Sequence, residues 1–187
     1  SGTTSGVGGD VTLVTSAGGI TTASGTTITT SGAGGNNNAG TVIFRSNDTA
    51  VGLSGSITAT GAGTGTGTVT LGDGATTATG VGQVTQPAGT ISATTLNVRS
   101  TSGGVTLDRS TNALTSLGSI VTTGGGFTYV DNDGLTMGAS GSIDTTKAAS
   151  AGGAVSITAG GALALRDITT SGTTSGVGGD VTLVTSA

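Results

Sequence analysis

The sequence predicts an all-β fold: a right-handed parallel β-helix (β-solenoid) with about 26–31 residues per rung and six rungs in each 170-residue repeat. Three observations lead there. Residues Ser1–Ala17, SGTTSGVGGDVTLVTSA, return unchanged as Ser171–Ala187, and seventeen identities at one offset mark a tandem repeat. The 187 residues include 39 Gly and 42 Thr, one Pro, and no Cys, His, Trp or Glu, a composition that supplies strands and turns but few helix formers. Apolar-x-apolar triplets recur at nearly even spacing, the mark of a strand with one buried face.

The triplets are Val11/Leu13, Val42/Phe44, Val69/Leu71, Leu96/Val98, Phe127/Tyr129, Val155/Ile157 and Val181/Leu183. The last stands one full repeat after the first, and the nearly even steps between them define the six rungs. The middle positions are Thr12, Ile43, Thr70, Asn97, Thr128, Ser156 and Thr182, polar in every case but Ile43. Between triplets lies an isoleucine column: Ile28, Ile57, Ile91, Ile120, Ile143 and Ile168. Four of these follow Gly-Ser or Gly-Thr, so that a glycine corner precedes an inward side chain. A looser apolar position, at Ile20, Leu53, Val84, Leu107, Leu135 and Leu163, completes three short strands per rung.

Strands this short bury their apolar face only by stacking rung on rung, each backbone pairing with the rung above or below. Rungs of this length are too long for compact hexapeptide or nonapeptide solenoids, and parallel crossovers favour the right hand. No 12-residue window combines good helix formers with a 3.6-residue apolar period. Residues 1–10 read as the end of a preceding repeat, 11–180 as one six-rung repeat, and 181–187 as the start of the next. One repeat is expected to advance the axis by about 29 Å. Both ends are expected to lie at the same phase, favouring head-to-tail continuation with identical repeats, in the same chain or in other subunits.

Two stretches, GGDVTLVTSAGGITTASGTTITTSG at Gly8–Gly32 and GGAVSITAGGALALRDITTSG at Gly152–Gly172, resemble the repeats of filamentous-haemagglutinin-like adhesins of two-partner secretion. The resemblance implies a right-handed β-helix, export across a Gram-negative outer membrane, a place outside the cell or on a bacterial surface, and a role in adhesion or surface filaments. Contact with other cells or surfaces would follow.

Chemistry-bearing residues are sparse. Five Lys or Arg against nine Asp, net charge −4, leave no basic stripe for nucleic acid. The longest apolar runs, such as Val42-Ile43-Phe44 and Ala162 to Leu165, are far short of the roughly 20 residues of a membrane helix. Asp131-Asn132-Asp133-Gly134 opens like a calcium loop, but Leu135 and Ser142 stand where an EF-hand needs ligands, so it reads as a polar turn. The glycine runs Gly6 to Asp10 and Gly61 to Gly67 lack a P-loop lysine and read as corners, and Asn36-Asn37-Asn38 reads as a loop. Phe44, Phe127 and Tyr129 are expected to point inward, and Arg45 and Arg99 outward, two rungs apart. The expectation is therefore a non-enzymatic structural shaft of an extracellular filament or adhesin, with no catalytic, cofactor-binding or metal-binding residues. The alternative is an ice-binding or carbohydrate-contacting surface, suggested by the outward hydroxyl pairs Thr27/Thr29, Ser56/Thr58 and Thr90/Ser92.

Overall fold

The computed structural model describes residues 5–73, 80–147, 151–173 and 176–186. In the two copies of the repeated segment, Ser1–Thr4, Thr174, Ser175 and Ala187 lie outside the described residues. The described chain is all-β and contains no helix. Its first three strands are β1 (Val11–Val14), β2 (Ile20–Thr22) and β3 (Thr27–Thr29), followed by β4 (Thr41–Arg45), β5 (Val51–Leu53) and β6 (Ser56–Ala59). Then come β7 (Thr68–Leu71), β8 (Val84–Thr85), β9 (Ile91–Ser100), β10 (Val105–Leu107), β11 (Ala113–Thr122) and β12 (Phe127–Asp131). The chain closes with β13 (Leu135–Asp144), β14 (Val155–Ala159), β15 (Leu163–Ala164), β16 (Ile168–Thr169) and β17 (Val181–Thr185).

Every pairing between these strands is parallel, and they form two sheets. The ten-stranded sheet runs β1-β4-β7-β9-β11-β13-β15, with β3, β6 and β16 alongside; the seven-stranded sheet runs β2-β5-β8-β10-β12-β14-β17. The chain passes from one sheet to the other and back, each pass pairing with the one before it. This is the arrangement a β-solenoid requires.

Alternation makes the strands. In β12 and β14 buried and half-buried residues alternate strictly, with Phe127, Tyr129, Val155 and Ile157 buried. Phe44, Phe127 and Tyr129 are all fully buried, as the triplet pattern implies. Phe127 and Tyr129 lie with nearly parallel rings, centroids 6.3 Å apart. Around them Leu53, Ile57, Leu71, Leu96, Leu107 and Ile120 fill one continuous apolar core.

The triplets do not form a single ladder. Val11/Leu13, Val42/Phe44, Val69/Leu71 and Leu96/Val98 stack in order on the ten-stranded sheet. Phe127/Tyr129 instead pairs with Val105/Leu107 on the seven-stranded sheet, and Val155/Ile157 and Val181/Leu183 continue from it there. The isoleucines divide likewise: Ile28, Ile57 and Ile91 stack on one another, whereas Ile120 sits on Val98 and is followed by Ile143 and Ile168. The cause lies between Leu107 and Ile120. There Ala113 and Leu114 pair with Ser92 and Ala93, adding a strand segment where the sequence suggests only a connection. Every later motif is moved on by one place. Layer length varies accordingly: the layer that carries the chain from Val51 to its partner Val84 is much longer than the next, from Val84 to Val105.

Corners are held by buried hydroxyls two residues beyond the last inward apolar side chain. Ser46, Ser100, Thr122 and Thr145 donate across their turns to the carbonyls of Thr49, Gly103, Gly125 and Gly153 at 2.5–2.6 Å. Each is fully buried; the Gly103, Gly125 and Gly153 carbonyls take their bond from the hydroxyl, while that of Thr49 also accepts from the Gly82 N–H of the next layer at 2.8 Å. Glycine is needed where layers touch backbone to backbone. A Cβ on Gly153 would lie 2.3 Å from the Gly125 carbonyl oxygen of the layer before it, whereas one on Gly9 would meet nothing within 4 Å. Gly153→Ala is therefore expected to cost about 1–3 kcal/mol of unfolding free energy, and Gly9→Ala to stay within about 0.5 kcal/mol, in urea titrations.

Candidate functional site

The outer surface carries a polar trough of ≈ 400 Å³, lined by Thr70, Gly72, Asp73, Asn97, Arg99 and Ser119. Three successive strands, β7, β9 and β11, position these residues, because the residue between two inward side chains points out. Phe44, Leu71 and Val98 stack in register, so Arg45 and Arg99 flank Gly72 from the layers on either side, as their sequence spacing implies. Gly72 is there by necessity. Its φ is +76°, and a Cβ would lie 2.4 Å from the Arg99 carbonyl oxygen.

Asp73 was not distinguished by the sequence, yet it fixes the electrostatics of the trough. Both Arg45 Nε and Nη2 donate to its carboxylate, Nε at 2.7 Å, in a two-pronged ion pair. The guanidinium holds the Asp73 carboxyl below the usual carboxylate range, mainly through these hydrogen bonds. A carboxylate so held is a poor proton acceptor. Arg99, one layer on, has a buried Nε without a hydrogen-bond partner. The trough thus offers ionic and hydrogen-bonding contacts to a polar chain or surface.

A second polar group lies inside. Gln86 and Asn112 exchange reciprocal amide hydrogen bonds of 2.7 and 2.9 Å, and Asn112 Oδ1 also accepts from the Ile91 N–H. One layer further, Asp131 continues the inward alternation of Phe127 and Tyr129. The sequence places it in a turn; the strand in fact runs through it. Its carboxylate accepts from the Tyr129 hydroxyl at 2.5 Å and from the backbone N–H groups of Leu114 and Asp133 at 2.9 Å. Burial raises the Asp131 pKa despite these three donors, and burial with the nearby carboxylate raises that of Tyr129. Asp131 is buried and Asp133 exposed, and no cluster of three potential metal ligands occurs among the described residues.

Asn36 and Asn38 stitch their loop to the next layer by accepting from the N–H groups of Thr64 and Thr66, at 3.2 and 2.9 Å. The hydroxyl pairs Thr27/Thr29, Ser56/Thr58 and Thr90/Ser92 do stack over three layers, and Ala113 follows Ser92 in register. No protein-family model, curated protein or solved structure matches the chain.

Asp131 makes stability depend on pH in a defined sense. Its raised native pKa means the folded chain holds the proton more tightly than the unfolded one. The stabilisation is complete below the ordinary carboxylate pKa and is lost as pH rises through the native value. Urea unfolding of Asp131→Asn against the parent, from about pH 3 to about pH 7, should show the variant gaining relative stability as pH rises. A constant difference across that range would contradict this role.

Proposed function

We propose that this chain is one period of a stiff shaft in a non-enzymatic extracellular or cell-surface filament, built as a closed right-handed β-helix from tandem 170-residue repeats. The observation that carries the reading is the unbroken parallel pairing along both sheets, from β1 to β15 and from β2 to β17. Such pairing extends a body in one direction at constant cross-section. Its interior uses side chains of ordinary size, and its corners use glycine and small hydroxyl residues in direct contact between layers.

The duplicated sequence favours continuation. In β17 every residue is exposed, including Val181, Leu183 and Val184 at 44–47% of their free surface. A strand with one edge unpaired and apolar side chains exposed is a template for another strand. The next identical repeat, in the same chain or in another subunit, is the occupant that the duplicated sequence provides. The adhesin resemblance of Gly8–Gly32 and Gly152–Gly172 adds export to a bacterial surface, with receptor contact carried elsewhere. Electron microscopy of chains with one to three tandem copies should show rods of constant width lengthening by about 30 Å per copy. Flexible or compact particles would sink the proposal.

A second reading rests on the three stacked hydroxyl pairs, whose rank would suit ordered water or sugar hydroxyls. The rank is short, and thermal hysteresis is its measure: a freezing-point gap that Thr29→Lys abolishes would support ice binding, and none is expected for a plain shaft.

A further inference from the structure

The two copies of GGDVTLVTS stand in different places. In the first, Val11–Val14 forms β1 of the ten-stranded sheet and pairs with Val42–Arg45; in the second, Val181–Thr185 forms β17 of the seven-stranded sheet and pairs with Val155–Ala159. From Leu13 to Ile168 the chain returns six times to the same column of the ten-stranded sheet, through Phe44, Leu71, Val98, Ile120 and Ile143. It then passes once more, to β17, before its own sequence recurs. The repeat is six turns plus one face.

The three motif types record the same shift. Up to Leu96/Val98 the triplets lie on the ten-stranded sheet, the looser position on the seven-stranded sheet and the isoleucines in the β3-β6 column. After β11 the triplets occupy the seven-stranded sheet, while Leu135 with Leu163 and Ile143 with Ile168 occupy the ten-stranded one. Each motif has moved on by one place. The shift happens once, at Ala113–Leu114, so one 170-residue unit carries one such step.

We infer that successive repeats of this sequence are out of phase by one face, so that a tandem array shows each surface feature on its three faces in turn. This rests on the tandem-shaft reading for its consequence, but not for its geometry, which lies within the single chain. The polar trough around Asp73 and Arg99 would move to the next face in each following repeat. It would return to one line only after three repeats, or 19 turns, about 91 Å along the axis. A flat partner laid along one face would meet one trough per three repeats, whereas a partner encircling the shaft would meet every one. The array therefore suits a surrounding sheath of like filaments better than a single flat surface.

The phase is testable by disulfide trapping in the full 187-residue chain, which has no cysteine of its own. Thr106 and Thr128 are half-buried partners on adjacent strands of the seven-stranded sheet. Asn97, also half-buried, would be the neighbour of Thr128 if the six triplets formed one in-phase ladder. Directly paired strand positions suit a disulfide, which spans Cα atoms about 4.4–6.8 Å apart. Under mild oxidation, Thr106→Cys/Thr128→Cys is expected to close nearly completely by intact mass, and Asn97→Cys/Thr128→Cys to remain reduced. Closure of the Asn97 pair would overturn the inference, and so would failure of both pairs. A chain that forms no rods yet traps the Thr106 pair would remove the shaft and leave the phase standing.

Discussion

Parallel backbone pairing between layers is the constraint on which the rest of this structure depends. A strand of three residues that buries one Val or Leu gains about 1.5–3 kcal/mol from burial, while ordering its backbone costs about 1–2 kcal/mol per residue. No single strand such as Ile20–Thr22 or Thr27–Thr29 can therefore hold itself. Stacking changes the balance, because each added layer completes the hydrogen bonds of the one before it and shares its apolar face. Stability becomes a property of neighbours, largely independent of total length.

The same constraint explains the composition. Layers held at strand spacing bring turn backbones together, and a Cβ at Gly125, Gly153 or Gly179 would intrude on the layer beside it. The turn carbonyls take small donors, which Ser46, Ser100, Thr122 and Thr145 supply from inside the corner. Threonine thus has two distinct uses here. Outside it is a β-branched strand residue, as at Thr106 and Thr128; inside it is a fixed hydrogen-bond donor.

Much of the local structure was legible because period-two alternation is a local signal. The triplets, the inward aromatics and the glycine corners all belong to that class. The order of stacking was not local. Early turns join their faces through long loops, as at 30–40 and 60–67, whereas β9 runs from Ile91 to Ser100 through the corner with no loop at all. A face marked only by Ala113 and Leu114 has no triplet to announce it. Inward polar residues escaped for a related reason. Asp131 and Asn112 look like turn residues until their partners, the Leu114 N–H and Gln86, are brought to them by the stack, and Thr122 looks like one because it bonds to Gly125 within its own turn. Asp73 was silent because its role depends on Arg45, one layer away.

The polar interior at Gln86, Asn112 and Asp131 bears on why the stack keeps one register. A column of apolar side chains alone would tolerate a slip of two residues, since valine on leucine packs much like valine on isoleucine. Two reciprocal amides, followed by a carboxylate with three donors, tolerate none, because each slipped register leaves buried polar atoms unpaired at about 1–3 kcal/mol apiece. These residues lie in the layers flanking Ala113–Leu114, where the motifs change face and the apolar code is weakest. Specificity is thus supplied by hydrogen bonding at the point where hydrophobic patterning cannot supply it.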